Sequence, residues 1–146
     1  MIILGSDHAG FDLKEQIKSY LMEQGENIVD VGAFSLDPED AFSSFVPLMA
    51  KANDNNKDTR IIAVCGSGVG MCIGLNKQKN IFCVLGHTVD EVKLAREHNN
   101  VNALALAGRK VNIEQATEMI NAFLTTKHLG GKYAKRMASL ENNWLV

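Results

Sequence analysis

A chain of 146 residues has room for one domain that buries roughly 70% of the surface it exposes unfolded. Its 46% hydrophobic and 22% charged residues are those of a globular domain rather than a disordered chain. The formal net charge of -2 gives no basic surface for nucleic acid, and no apolar run approaches the ~20 residues of a membrane span.

The first strand begins at once with Ile2, Ile3 and Leu4, with no basic segment before it, so no export signal is expected and the location is expected to be cytoplasmic. It ends in Gly5-Ser6-Asp7-His8-Ala9-Gly10, a short turn carrying an acid and an imidazole. Leu13, Ile17, Tyr20 and Leu21 then make one apolar helical stripe, with Lys14, Glu15 and Lys18 outside it and Gly25 as its stop. Ile28 to Val31 reads as a second strand, Gly32 to Asp40 as a loop, and about Ser43 to Asn53 as a helix whose early turns hold Pro47.

The most informative stretch is residues 61 to 77. Ile61 to Val64 form a short buried strand that delivers Cys65 to its carboxyl end. Gly66, Ser67, Gly68 and Gly70 turn the chain into a short helix whose first N–H groups have no partner within the helix and favour an anion. The pattern is G-x-G-x-G-M. It is not the dinucleotide fingerprint, and the next strand ends in Gly86-His87 rather than in an acid that would hold a ribose. It also lacks the Lys-Ser/Thr ending of a P-loop. No cofactor is expected.

Ile81 to Leu85 is a fourth strand. Thr88-Val89-Asp90-Glu91 is a capping box opening a helix with Val92 and Ala95 inward, which runs to about His98 and is ended by Asn99 and Asn100. Ala103 to Ala107 is the fifth strand, finishing at Gly108-Arg109. Asn112 and Gln115 open a helix with Ile113, Ala116, Met119, Ile120 and Phe123 on one face. Gly130-Gly131 precedes a last basic helix with Lys132, Lys135 and Arg136, and Trp144 near its end.

Strands alternating with helices predict an α/β domain spanning residues 1–146. The expected fold is a doubly wound, Rossmann-like, five-stranded parallel sheet with helices on both faces, plus a C-terminal helix. Asp7 and His8, Cys65 and Ser67, His87 and Thr88, and Arg109 all follow strands, so their loops open on one edge of the sheet, where ligands of such folds sit. That edge suits a small anionic molecule. Cys65, Cys72 and Cys83 include no C-x-x-C pair and have no His at metal spacing, so neither a disulfide framework nor a metal site is expected. Cys72 and Cys83 read as small core residues, and His87 and His128 as ordinary surface imidazoles.

The chain resembles the B-type ribose-5-phosphate isomerases and the related galactose-6-phosphate isomerases over essentially its full length. The matching pieces are Gly5 to Gly10, Cys65 to Gly70 with Asn76-Lys77, Arg96-Glu97-His98-Asn99-Asn100, Gly108-Arg109, and Gly130-Gly131 with its basic helix. The resemblance implies an aldose–ketose isomerase working through an enediolate without a metal, as a homodimer with sites between subunits, or as a tetramer of two such dimers. By that analogy Cys65 is the base and Asp7 and His98 help open the sugar ring. Ser67 and the N–H groups from Gly66 through Gly68 to Gly70 face the developing charge, and Asn99 holds hydroxyls. His8, Arg109, Lys132 and Arg136 hold the phosphate. Two places depart from the family pattern: Lys132-Tyr133 stands where Arg-His is usual, and Asp40-Ala41-Phe42 where Asp-Tyr-Pro is usual. A hexose 6-phosphate isomerase and a catalytically silent sugar-phosphate-binding module are the other readings.

Overall fold

The computed structural model describes residues 1–143, and side chains as far as residue 140. Trp144, expected near the end of the last helix, lies outside the described residues. The elements are β1 (Ile2–Ser6), α1 (Phe11–Glu23), β2 (Ile28–Asp30), α2 (Phe42–Ala52), β3 (Arg60–Cys65), α3 (Val69–Asn76), β4 (Cys83–Leu85), α4 (Val89–Asn99), β5 (Ala103–Ala107), α5 (Ile113–Thr125) and α6 (Gly131–Asn143). A single 3-10 turn, His8–Gly10, joins β1 to α1.

All five strands are parallel, in the order β2-β1-β3-β5-β4. The chain runs outward from β1 to β2 and then returns to the other side of β1 as β3, so the winding reverses between β1 and β3. The loops leaving those two strands part at that reversal, which leaves a crevice at their carboxyl ends.

Alternation along the strands sorts the core into two layers. Ile2, Leu4, Ile62, Val64, Leu104 and Leu106 pack with Leu13, Ile17 and Leu21 of α1, Val92 of α4 and the Ala116–Phe123 face of α5. Ile3, Ile61, Ala63, Cys65, Ala103 and Ala105 pack with Val46 and Met49 of α2 and Met71 and Leu75 of α3. Cys65 thus belongs by register to the α2–α3 side. Its neighbours there on β5 are alanines, which let α3 approach the sheet.

Local chemistry sets the helix ends. The Thr88 hydroxyl accepts from the Glu91 N–H, and Asn112 and Gln115 form a reciprocal capping box; each such cap stabilises its helix by about 1 kcal/mol. Asn100 closes α4 in the left-handed region at φ 48°, which a short amide side chain tolerates. Pro47 sits inside α2, in its second turn.

Three expectations are corrected. Lys14 is not outside the α1 stripe but fully buried. Its ammonium donates to both Asp30 oxygens at 3.0 and 2.9 Å and to the Ala33 carbonyl at 2.7 Å. The fourth strand starts at Cys83 rather than Ile81, because the side chain of Asn102 takes the Phe82 N–H at 2.9 Å. Cys72 is only half-buried, whereas Cys83 is buried. The Cys72 thiol lies against Cys83, and that hydrogen bond, opposed by burial and helped by Asn76, lowers its pKa to about 7.

Candidate active site

Three loops at the carboxyl edge of the sheet meet because backbone hydrogen bonds tie them together. The Asp7 N–H donates to Val64 O at 3.3 Å, Gly108 N–H to Cys65 O at 2.8 Å, and Arg109 N–H to Gly66 O at 3.1 Å. The ends of β1, β3 and β5 are thereby fixed relative to one another, and side chains leaving them converge. They line a cavity of about 420 Å³ formed by Asp7, His8, Ala9, Phe42, Cys65, Gly66, Ser67, Gly70, Arg109 and Lys110.

Cys65, 4% exposed, lines the cavity at the end of β3. Asp7 is also buried, and its carboxylate accepts from the Gly10 N–H at 3.1 Å, which caps the 3-10 turn. Ser67 is exposed and its hydroxyl accepts from the Val69 N–H at 3.3 Å, leaving its own proton free to donate into the cavity. The turn needs its glycines for different reasons. Gly68 has φ 76°, and a Cβ there would lie 2.6 Å from Leu85 Cδ1, so it faces the sheet rather than the cavity. A Cβ on Gly66 would stand 3.1 Å from the Arg109 guanidinium, which lies over that glycine.

Phe42, at the start of α2, supplies an aromatic wall to the cavity. It is displaced by one residue from the family's tyrosine, and its ring lies so close to Gly70 that a Cβ there would come within 2.9 Å of it. His8 is held from the same side: its backbone N–H and its ring Nδ1 are both 2.8 Å from Asp40 Oδ1. That hydrogen bond is the main cause raising the His8 pKa; burial opposes it and the Asp7 charge adds to it. Asp7, His8 and Asp40 also bring their ligand-type atoms within 4.8 Å of one another. Asp40 Oδ1 accepts both the backbone N–H and the ring Nδ1–H of His8, so this trio is arranged as a hydrogen-bonded pair beside an acid.

A larger cavity, of about 580 Å³, lies on the other side of the glycine turn and takes in His87, Thr88, Gln115 and Glu118. It shares only Ser67 and Lys110 with the first and lacks its thiol and its acid–imidazole pair. His87 is exposed, with Nδ1 3.8 Å from Glu91, and His128 Nδ1 lies 2.9 Å from Glu97 O.

Not every expected site residue is gathered here. α4 starts at the carboxyl edge beyond β4 and its 11 residues carry the chain back about 16 Å toward the amino edge, where β5 begins. His98 and Asn99 therefore sit in its last turn, across the sheet from Cys65. They form a second cluster with α6. His98 stacks on Tyr133, Asn99 Nδ2 lies 3.5 Å from Met137 Sδ, and Lys132 and Arg136 lie beside the Tyr133 ring. One chain thus carries two separate half-sets: Asp7, His8, Cys65, Ser67 and Arg109 at one edge, and His98, Asn99, Lys132 and Arg136 at the other.

Sequence reading assigned no role to Asp40, Phe42 or Lys110. The signal for the first two was present, since Asp40-Ala41-Phe42 stands where the resemblance has its Asp-Tyr-Pro. Lys110 follows Arg109 and carried no pattern of its own.

The profile of the Ribose/Galactose Isomerase family matches residues 2–140. Ribose-5-phosphate isomerase B of Mycolicibacterium paratuberculosis is 39% identical over 125 residues, covering 86% of this chain and 79% of the relative. That of Escherichia coli is 32% identical over 139 residues, covering 95% and 93%. Among solved structures, ribose-5-phosphate isomerase B of Mycoplasma genitalium with bound ribulose-5-phosphate superposes with a TM-score of 0.93 at 32% identity, covering 99% of this chain and 95% of that one. The Thermotoga maritima enzyme gives 0.91 at 34% identity, covering 97% of each. With the same sheet and a matching profile over nearly its whole length, the chain belongs to the ribose/galactose isomerase family.

Proposed function

We propose that this protein interconverts ribose 5-phosphate and ribulose 5-phosphate through an enediolate, in sites completed by a second copy of the chain. The observation that carries the reading is the Cys65 thiol beside Asp7 and the glycine turn in one cavity, in a chain whose structural relative holds ribulose-5-phosphate.

The chemistry runs in three stages. Asp7, with His98 of the second copy, moves the protons that open the furanose to the free aldehyde. The Cys65 thiolate then takes the proton from C2, and the electron pair left behind shifts onto the carbonyl oxygen at C1. The cis-enediolate so formed is stabilised by the N–H groups of the Gly66–Gly70 turn and by the Ser67 hydroxyl, which stand ready before charge develops and so cost no reorganisation. Return of the proton to C1, with transfer of the hydroxyl proton from O2 to O1, gives the ketose.

His8 and Arg109 bind the phosphate from one chain and Lys132 and Arg136 from the other, while Asn99 holds sugar hydroxyls. The two half-sets at opposite edges of one sheet support a homodimer, since a two-fold pairing brings the first half-set of each chain to the second half-set of the other. Three free cysteines and, among the described residues, no helix long and apolar enough to cross a membrane support a cytoplasmic location.

Proton NMR of the purified protein with ribose 5-phosphate in deuterated water tests this reading. Ribulose 5-phosphate is expected to form with deuterium entering the sugar, and Cys65→Ala is expected to lose that exchange while keeping its fold. Exchange retained in the variant removes Cys65 from the base role, and no turnover by the native protein removes the substrate.

A further inference from the structure

His8 presents two donors to a single oxygen. Its backbone N–H and its ring Nδ1 each lie 2.8 Å from Oδ1 of Asp40, which arrives from the loop before α2, 32 residues further along the chain. A carboxylate accepts and cannot donate, so the ring nitrogen that faces it carries a proton and Nε2 is the nitrogen left for the cavity. Asp40 is 12% exposed in its side chain and the ring of His8 29%, so the pair sits at the cavity rim with the carboxylate on the protein side. The second oxygen of Asp40, Oδ2, is buried with no hydrogen-bond partner among the described residues. Burying an unmatched carboxylate oxygen is costly, and the contact it accompanies is the one to His8.

We infer that Asp40 is the positioning residue for phosphate binding: by taking the backbone N–H and the ring Nδ1–H of His8 on one oxygen it fixes the tautomer and the ring angle and sets a negative charge behind the imidazole, so that Nε2 is held out to the phosphate of the sugar. The inference rests on the sugar-phosphate reading above. His8 is faced by Asp7 on its own turn, by Asp40 from the loop before α2, by Cys65 at the end of β3, and by Arg109 and Lys110 after β5. The two carboxylates favour the imidazolium and burial opposes it. The balance is upward, with the Asp40 hydrogen bond the largest cause. The imidazolium is therefore present below the raised pKa and lost only as pH rises through it. Without Asp40 that loss moves down toward the ordinary histidine value of about 6.5.

A carboxylate that merely tied down the loop would, when removed, weaken binding equally at every pH. Asp40→Asn keeps the shape and one acceptor oxygen but removes the charge. The experiment follows the His8 ring by heteronuclear NMR in the free protein and measures steady-state kinetics at about pH 6 and pH 8, on either side of the ordinary histidine value. In the variant, the His8 midpoint is expected to fall, and KM for ribose 5-phosphate to rise about tenfold at the higher pH but less than about twofold at the lower, with kcat nearly unchanged. Equal changes in KM at both pH values, a loss confined to kcat, or an unmoved His8 midpoint would each overturn the inference.

The native protein alone also decides it if the variant does not fold: a raised midpoint with the proton on Nδ1 supports the assignment, and an ordinary midpoint with the proton on Nε2 rejects it. Titration with inorganic phosphate separates this inference from the reaction. If the native protein does not turn over ribose 5-phosphate, but Asp40→Asn weakens phosphate binding only at the higher pH, the reaction fails and the role of Asp40 stands. Normal turnover with a pH-independent effect of Asp40→Asn leaves the reaction standing and rejects the role.

Discussion

The imidazole of His98 lies flat on the phenol ring of Tyr133, with centroids 4.3 Å apart and planes within 9°. The contact joins the last turn of α4 to the first turns of α6. Lys132 Nζ and Arg136 Cζ lie 5.2 and 5.7 Å from the same ring centroid. Tyr133 is thus the common neighbour of His98, Lys132 and Arg136. A face contact of this kind contributes about 0.5–1.5 kcal/mol, and in the proposed reaction its larger effect is to fix the angle of the His98 ring. Tyr133→Leu is expected to lower kcat about tenfold while lowering the melting temperature by only a few degrees; an unchanged kcat would show that His98 is oriented by something else.

Removing Asp30 should test how the approach to the site is built. Its carboxylate, 8% exposed, accepts from Lys14, Lys18 and the Gly32 N–H, and Lys14 in turn donates to Ala33 O. This cluster fastens the end of β2 and the start of the loop that carries Asp40. Asp30→Ala leaves the buried Lys14 ammonium with only the half-exposed carboxylate of Glu15, 2.9 Å away, and is expected to cost about 3 kcal/mol, read from urea unfolding. A loss below about 1 kcal/mol would mean that Lys14 moves to water in the variant.

The same cluster sets an acid limit. Burial pulls the Asp30 pKa upward, but hydrogen bonds from Lys14, Gly32 and Lys18 outweigh it and hold the value below the ordinary one. The stabilisation is therefore complete above the unfolded value of about 3.9 and is lost as pH falls through the lower folded value. Unfolding free energy measured from neutral pH down into that range should decline, and Asp30→Asn should flatten the decline. Parallel curves for the two proteins would assign the acid limit to other carboxylates.

Phe42 offers a test of substrate size. Its ring walls the cavity against Gly70, with no hydroxyl to offer a sugar. Phe42→Ala opens that wall, so the ratio of kcat/KM for galactose 6-phosphate over ribose 5-phosphate is expected to rise about tenfold, the range that one apolar wall commands. An unchanged ratio would place chain-length selection on the residues of the second copy.

The architecture was legible because the apolar runs are short, regularly spaced and separated by glycine or capping signals, and these are local features. Cys65 and its glycine turn were legible for the same reason, since a thiol among glycines after an apolar strand fits no core. Lys14 was misread because helical periodicity counts it as polar, whereas the Asp30 carboxylate and the Ala33 carbonyl that hold it in the interior come from beyond its own helix. Asp40 and Phe42 stood out in the sequence only as a departure from the family pattern, because their contacts with His8 and Gly70 depend on a loop folding back over β1, which no local pattern encodes. The separation of His98 from Cys65 needed the direction of α4 across the sheet, so it became visible only with the topology in hand.

The central claim, a site assembled from two chains, is tested most directly by mixing two inactive variants, Cys65→Ala and His98→Ala, under conditions where subunits exchange. Each mixed dimer contains one site with both substitutions and one with neither, so activity is expected to return to about a quarter of the native level. Mixed dimers that form, as seen by native mass spectrometry, yet stay inactive would contradict the account and require Cys65 and His98 to act within one chain.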